Sequence, residues 1–238
     1  MAGVGADGIQ TVSFSIKAWA GWLPGMPALV SGGEAMAGPP LPAGLRRRAT
    51  PLGRKMLEVA WPFLAGRQDA PRIVLASRHG EYDRTWGLSQ ALAAGEELSP
   101  AEFSLSIHHG LAALLSIATG NRGGHTALAC GGDTFGFGCV EAAVCLADGD
   151  DRVLLLYYDA PLPDIYRPIT DAEGDEAVVA LLLEPAGSGG ETIHMDFLPA
   201  AGGGDGHLLR HFASVLTRQA DQAEGVGDRM MWRWRHVA

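Results

Sequence analysis

The stretch Asn121–Asp159, NRGGHTALACGGDTFGFGCVEAAVCLADGDDRVLLLYYD, decides the fold. Asn121–Gly124 punctuates as a turn. His125–Cys130 is a short run with a small, apolar end, and it reads as a strand. Gly131–Thr134 is a tight bend, because two adjacent glycines admit positive φ where other residues resist it. Phe135–Ala147 carries small and apolar residues at helical spacing, and Val153–Tyr158 is a continuous apolar strand pattern. Asp133 or Thr134 is placed to cap the helix by accepting a free amide hydrogen bond. The same pattern serves an ordinary βαβ turn. It becomes a candidate site because a strand, an elbow and a helix present whatever sits at the bend to the positive end of the helix.

Outward from this stretch the pattern repeats. Upstream, Ile9–Ile16 alternates as a strand, and Pro24–Gly44 is rich in Gly, Pro and Ala and reads as a loop. Thr50–Trp61 is helical, capped by Thr50 with Pro51 in its first turn, and Pro62 is expected to end it. Arg72–Ser77 is a buried strand, followed by Arg78–Arg84 (RHGEYDR), a charged loop read as solvated, with local ion pairs. Trp86–Ala94 is a short helix, and Ser99–Glu102 has the form of a capping box. His108 and His109 precede an apolar helix, Gly110–Ala118, expected to be buried on most sides. Adjacent histidines point to different sides of a helix, so they make no chelating pair, and no metal is expected.

Downstream, Ala160–Pro168 is a Pro-rich loop and Glu176–Glu184 a buried strand stopped by Pro185. Glu191–Leu198 alternates as an exposed or edge strand, and Pro199–Gly206 is a linker. His207–Ala220 is an amphipathic helix, with Leu208, Leu209, Phe212, Val215 and Leu216 on one face. Met230–Val237 is either a late strand or a docking segment. Strands alternating with helices predict an α/β fold with a mainly parallel sheet between helices.

With 238 residues, the chain suits a single domain: a core over about 9–185 and a small β/α extension over 186–238. Its net charge of −9 argues against a nucleic-acid or anionic-membrane partner. No apolar run approaches the roughly 18 residues of a membrane span. The first ten residues lack a basic start and an apolar core, so a cytoplasmic location is expected. Cys130, Cys139 and Cys145 have no metal-type spacing and read as reduced thiols.

Several segments together resemble the N-terminal half of a β-ketoacyl synthase, of the thiolase fold. They are FSLSIHHGLAALLSIATGNRGGHTALACGGDTF, EAAVCLADGDDRVLLLYYDAPLP, LRRRATPLGRKMLEVAWP and SRHGEYDR. The resemblance is nearest to the short chain-length factors of aryl polyene biosynthesis. It implies a five-stranded mixed sheet sandwiched by helices, its last strand antiparallel. It also implies pairing with a full-length β-ketoacyl synthase through the strand before the elbow, here His125, Thr126, Ala127, Leu128 and Ala129. An acyl carrier protein would engage indirectly, and no cofactor is implied.

A ketosynthase keeps its cysteine nucleophile at the elbow, where the helix end lowers the thiol pKa and an amide helps bind the oxyanion. Two registers are open here. Helix spacing favours Gly132 at the nucleophile position, with Gly131, Gly132, Asp133 and Thr134 forming the elbow. A local shift would instead make Cys130 the nucleophile, with His108 or His109 as base. After Pro185 only 53 residues follow, fewer than the roughly 100 a second βαβαβ unit needs. The histidines that a second half supplies are therefore not assigned. Three readings result: a non-catalytic partner that shapes an acyl tunnel, with His108, His109, Phe135 and Phe137 as tunnel candidates, a stand-alone condensing enzyme or acyltransferase using Cys130, or a stand-alone module that binds a carrier protein or a fatty-acyl chain. A half-fold is also expected to expose an apolar face that a partner must cover.

Overall fold

The computed structural model describes residues 3–4, 9–34, 36, 38–169, 176–204 and 207–237, so the expected 24–44 loop and 199–206 linker are described only in part. In chain order its elements are β1 (Gly3–Val4), β2 (Gln10–Trp22), β3 (Val30–Gly33), α1 (Ala43–Arg46), α2 (Pro51–Leu64), β4 (Arg72–Ala76), α3 (Tyr82–Ala93), α4 (Pro100–Leu105), α5 (Gly110–Thr119) and β5 (His125–Leu128). There follow α6 (Thr134–Ala147), β6 (Val153–Asp159), β7 (Ala177–Pro185), β8 (Glu191–Pro199), α7 (Leu208–Leu216), β9 (Gln222–Val226) and β10 (Met230–His236).

One sheet runs in the order β5-β4-β6-β7-β2-β8-β10-β9, with β1 and β3 also paired to β2. The α/β class and the helix-covered sheet are as expected, and β7 is antiparallel to β6. The strand count and direction need correction. Among the described residues the sheet has ten strands, not five, and the parallel pairings are β4 with β5 and β4 with β6. The difference arises because β2 is long enough to pair with β7 along its second half and with β8 along its first. The segment after Pro185 therefore continues the same sheet.

Strand alternation sorts the interior into two cores. Val74, Ala76, Val153, Leu155, Val179 and Leu181 face α6 and α7. Ile73, Leu75, Leu154, Leu156, Val178 and Ala180 face α2 and α5. On β8 and β10 the first face stays apolar, with Ile193, Met195, Phe197, Trp232 and Trp234 buried under α7. The opposite face of this part of the sheet is polar: Thr11 donates to Asp196 (2.7 Å), Ser13 bonds His194 (2.7 Å), and Arg233 donates to Glu224 (2.5 Å).

This arrangement corrects the expected bare face. Leu208, Leu209, Phe212, Val215 and Leu216 are all buried, and with Trp232 and Trp234 they cover the elbow side of the sheet. The tail is a strand held between β8 and β9 rather than a docking segment. Likewise β8 is an internal strand and not an edge.

Other departures are local. Pro62 lies inside α2 instead of ending it. Losing one helical bond costs about 3 kcal/mol, and burying Phe63 and Leu64 offsets it at about 2 kcal/mol each. The expected 24–44 loop contains β3 and α1. Helix α5 is less buried than its composition suggests: Leu111, Ala112, Leu114 and Leu115 point inward, while Ile117 is 81% exposed.

Candidate functional site

The site is built where β5 ends. Cys130 N–H donates to Thr134 Oγ1 (2.9 Å), and that hydroxyl donates back to Gly131 O (2.6 Å). The pair of bonds closes the bend, and Gly131 takes φ +63°, a region where a side chain would strain the chain. Gly131–Asp133 forms a single 3-10 turn, after which α6 begins at Thr134.

Neither expected cap acts on α6. Thr134 receives an amide from the strand end instead. Asp133, fully buried, turns away to the β9–β10 hairpin: its Oδ2 accepts Arg229 N–H (2.8 Å) and its Oδ1 accepts Trp232 Nε1–H (2.8 Å). The hairpin reciprocates. Asp228 Oδ2 accepts Gly132 N–H at 2.7 Å, so the amide expected to face an oxyanion already holds a carboxylate. A Cβ at Gly132 would lie 2.6 Å from Asp228 Oδ1. Nothing in the sequence marked Asp228, which sits 96 residues from Gly132 in a Gly-Asp-Arg turn without a motif.

Beside the bend is a cavity of about 40 Å³, room for about one to a few water molecules. Its walls include Arg78, His79, Gly131, Gly132, Tyr157 and His207. His79 Nδ1 lies 3.3 Å from Asp159 Oδ1 without forming a hydrogen bond. Burial, aided by the Asp159 carboxylate, pushes the Tyr157 phenol well above its ordinary pKa. Cys130 is not on these walls. Burial raises its thiol pKa, and Asp133 adds to that while Arg229 opposes it. This is the reverse of what a thiolate nucleophile needs.

The charged loop after β4 is not the solvated one expected. Glu81 is 2% exposed and accepts Thr50 Oγ1 on both oxygens (3.0 and 2.9 Å), while Thr50 caps α2 by accepting Gly53 N–H. Arg84, also buried, pairs with Glu102 and donates to Arg48 O (2.6 Å). The loop thus ties α1, α2 and α4 together.

The remaining candidates fall in three places. His108 Nε2 bonds Ser77 O (2.6 Å) and its ring packs on Gly80, so it braces the loop after β4. His109 is exposed at the start of α5, with its ring stacked on His125 at 5.8 Å. Phe135 is 2% exposed and packs among Tyr157, Phe212 and Trp234 in the core. Phe137 is half-buried against Trp232.

His125, Thr126, Ala127 and Leu128 form β5, which ends the sheet on one side, and Ala129 follows it. Gly124 O and Leu128 O accept from Ile73 on β4 and from Ser77 just after it, so by strand alternation the backbone groups of His125 and Ala127 face outward. Among the described residues there is no cluster of His, Cys, Asp and Glu able to hold a metal ion, and no helix long and apolar enough to cross a membrane. The three cysteines are free.

Comparison with known proteins agrees with this fold. No curated protein matches. Among solved structures, the chain is similar to one in the complex of the ketosynthase ApeO with its chain length factor ApeC from Xenorhabdus doucetiae. The identity is 23% and the TM-score 0.78, covering 94% of this chain and 99% of that one. It is also similar to the ishigamide ketosynthase/chain length factor (14% identity, TM-score 0.56, 75% of this chain and 63% of that one). A third likeness is to a β-ketoacyl synthase from Burkholderia phymatum (14% identity, TM-score 0.52, 73% and 59%). The chain thus spans less than two thirds of the last two. The family described as β-ketoacyl synthase, N-terminal domain, matches residues 19–235. That match runs through β4, the elbow, α6 and on into β10, and by it the chain belongs to the β-ketoacyl synthase N-terminal domain family.

Proposed function

We propose that this chain is a non-catalytic ketosynthase-like subunit, a chain-length factor. It pairs with a full-length β-ketoacyl synthase and shapes the acyl tunnel in polyene-type or fatty-acid-type elongation. The observation that carries this reading is at the elbow: the amide of Gly132, read here as the nucleophile position, is already filled by Asp228. A glycine has no atom to hold an acyl group, and the nearby Cys130 thiol is shifted away from the thiolate.

Pairing is supported by the open edge of β5, where the exposed His109 stacks on His125. An exposed strand edge with small residues is a ready template for a strand from another chain. The similar structures include a ketosynthase with its chain length factor, which fits a heterodimer. In this reading the partner supplies the nucleophile and meets the acyl carrier protein, and three free thiols suit a cytoplasmic assembly. His109 is the tunnel-wall residue nearest the paired edge.

The test is reconstituted chain extension by the co-expressed pair, with products read by mass spectrometry. Cys130→Ala leaves turnover within about twofold. His109→Trp keeps turnover but shortens the longest product. Loss of turnover on removing the Cys130 thiol would contradict the proposal.

A further inference from the structure

We infer that the β9–β10 turn is a built-in plug, its Asp228 carboxylate occupying the elbow where a nucleophile and an acyl carbonyl would otherwise sit. Three hydrogen bonds and the lack of room at four glycines converge on this. Asp228 Oδ2 accepts Gly132 N–H at 2.7 Å. Asp133, from the elbow itself, accepts Arg229 N–H and Trp232 Nε1–H, gripping the turn from the other side. A Cβ on Gly131 or Gly132 would run into the Asp228 carboxylate, and one on Gly227 into the carboxylate of Asp133. A Cβ on Gly136, one turn into α6, would come within 2.6 Å of Trp232 Cζ2.

The glycines at the bend are therefore the shape that lets the turn seat, and not merely a deleted side chain. A carboxylate is suited to the place, since it accepts from the same amide that would receive a developing oxyanion. With it seated, the small cavity left beside Gly131 and Gly132 has no room for an acyl chain or a pantetheine arm. Restoring a cysteine alone would not restore an acceptor. The side chain and the carboxylate would compete for one volume. Removing the carboxylate would leave Asp228 N, at 3.4 Å, as the nearest remaining neighbour among those closest to a Cβ at position 132. This inference rests on reading Gly132 as the nucleophile position, and its test uses the single chain and needs no ketosynthase partner.

The experiment uses the full chain and three variants: Gly132→Cys, Asp228→Ala and the two combined. Thermal unfolding reads the competition, and peptide-resolved iodoacetamide labelling reads access to position 132. Gly132→Cys lowers Tm, and adding Asp228→Ala raises it again, with labelling at position 132 at least tenfold faster in the double variant. Amide hydrogen exchange at Gly132 quickens at least tenfold in Asp228→Ala alone, a readout available even if Gly132→Cys fails to fold. Exchange at Gly132 unchanged by Asp228→Ala would overturn the plug. So would a Gly132→Cys chain that folds with wild-type Tm and labels as fast as the double variant.

Discussion

Charged side chains buried beside the bend and the β4 loop do most to define this protein. At the bend the buried Asp133 and the exposed Asp228 interlock, each accepting a backbone amide from the other's segment. The sequence showed half of this. Helix spacing after Thr134 placed Gly132 at the bend, because residues within one element are tied by a fixed period. Asp228 was illegible, since its partner lies across the sheet and a Gly-Asp-Arg turn is common. Glu81 was also misjudged: a charged heptapeptide reads as solvated, but Thr50 and Arg84 draw its carboxylate inward. Burial, the largest influence, holds the Glu81 carboxyl above its usual 4.5. The folded chain then binds more protons than the unfolded chain from 4.5 up to the raised value. Stability contributed by Glu81 is full below 4.5 and is lost as pH rises through the folded-state value. Urea unfolding between roughly pH 4 and pH 7 should show this decline, and Glu81→Gln should flatten it. Equal pH slopes for the two proteins would remove Glu81 from the account.

Among the elements, those with strong internal pattern were readable and those defined by neighbours were not. β4, β6 and β7 are apolar runs covered on both faces, and composition alone marks such strands. β9 (QAEGV) has little strand character. It exists because β10 pairs with it and because α7 lies so close that a Cβ on Gly225 would meet Leu208 at 2.8 Å. The same close packing makes α6 testable. Gly→Ala inside a helix normally stabilises by about 1 kcal/mol. At Gly136 the indole of Trp232 occupies the space, so Gly136→Ala should destabilise by about 2 kcal/mol in urea unfolding. A stabilised variant would mean that the β10 tryptophans do not pack on the elbow helix. At the other end of the sheet, Ala127 turns its backbone groups away from β4. Proline is tolerated at an outward-facing edge position but has no amide to donate. Ala127→Pro should therefore leave the Tm of the isolated chain within about 2 °C of wild type, from a stability change of a few tenths of a kcal/mol. It should weaken binding to the ketosynthase at least tenfold by calorimetry. Undiminished binding would move the interface away from β5.

For the molecule as a whole, the α/β class and the family were legible because several separate segments matched in order. The full extent of the sheet was not. A sequence cut at Pro185 looks like a half-fold with a bare face, yet α7, β9 and β10 cover the elbow side and extend the sheet. The β5 edge stays open at one end of the sheet, a narrower and more specific surface than an uncovered core. The central claim is that chemistry occurs on the partner and never on this chain. It is tested most directly by native mass spectrometry of the co-expressed pair after brief incubation with an acyl-loaded carrier protein. The account predicts a 1:1 complex whose acyl adduct, once the subunits are separated, is found on the full-length ketosynthase alone. An acyl adduct on this chain, or a chain that stays monomeric beside the ketosynthase, would contradict it.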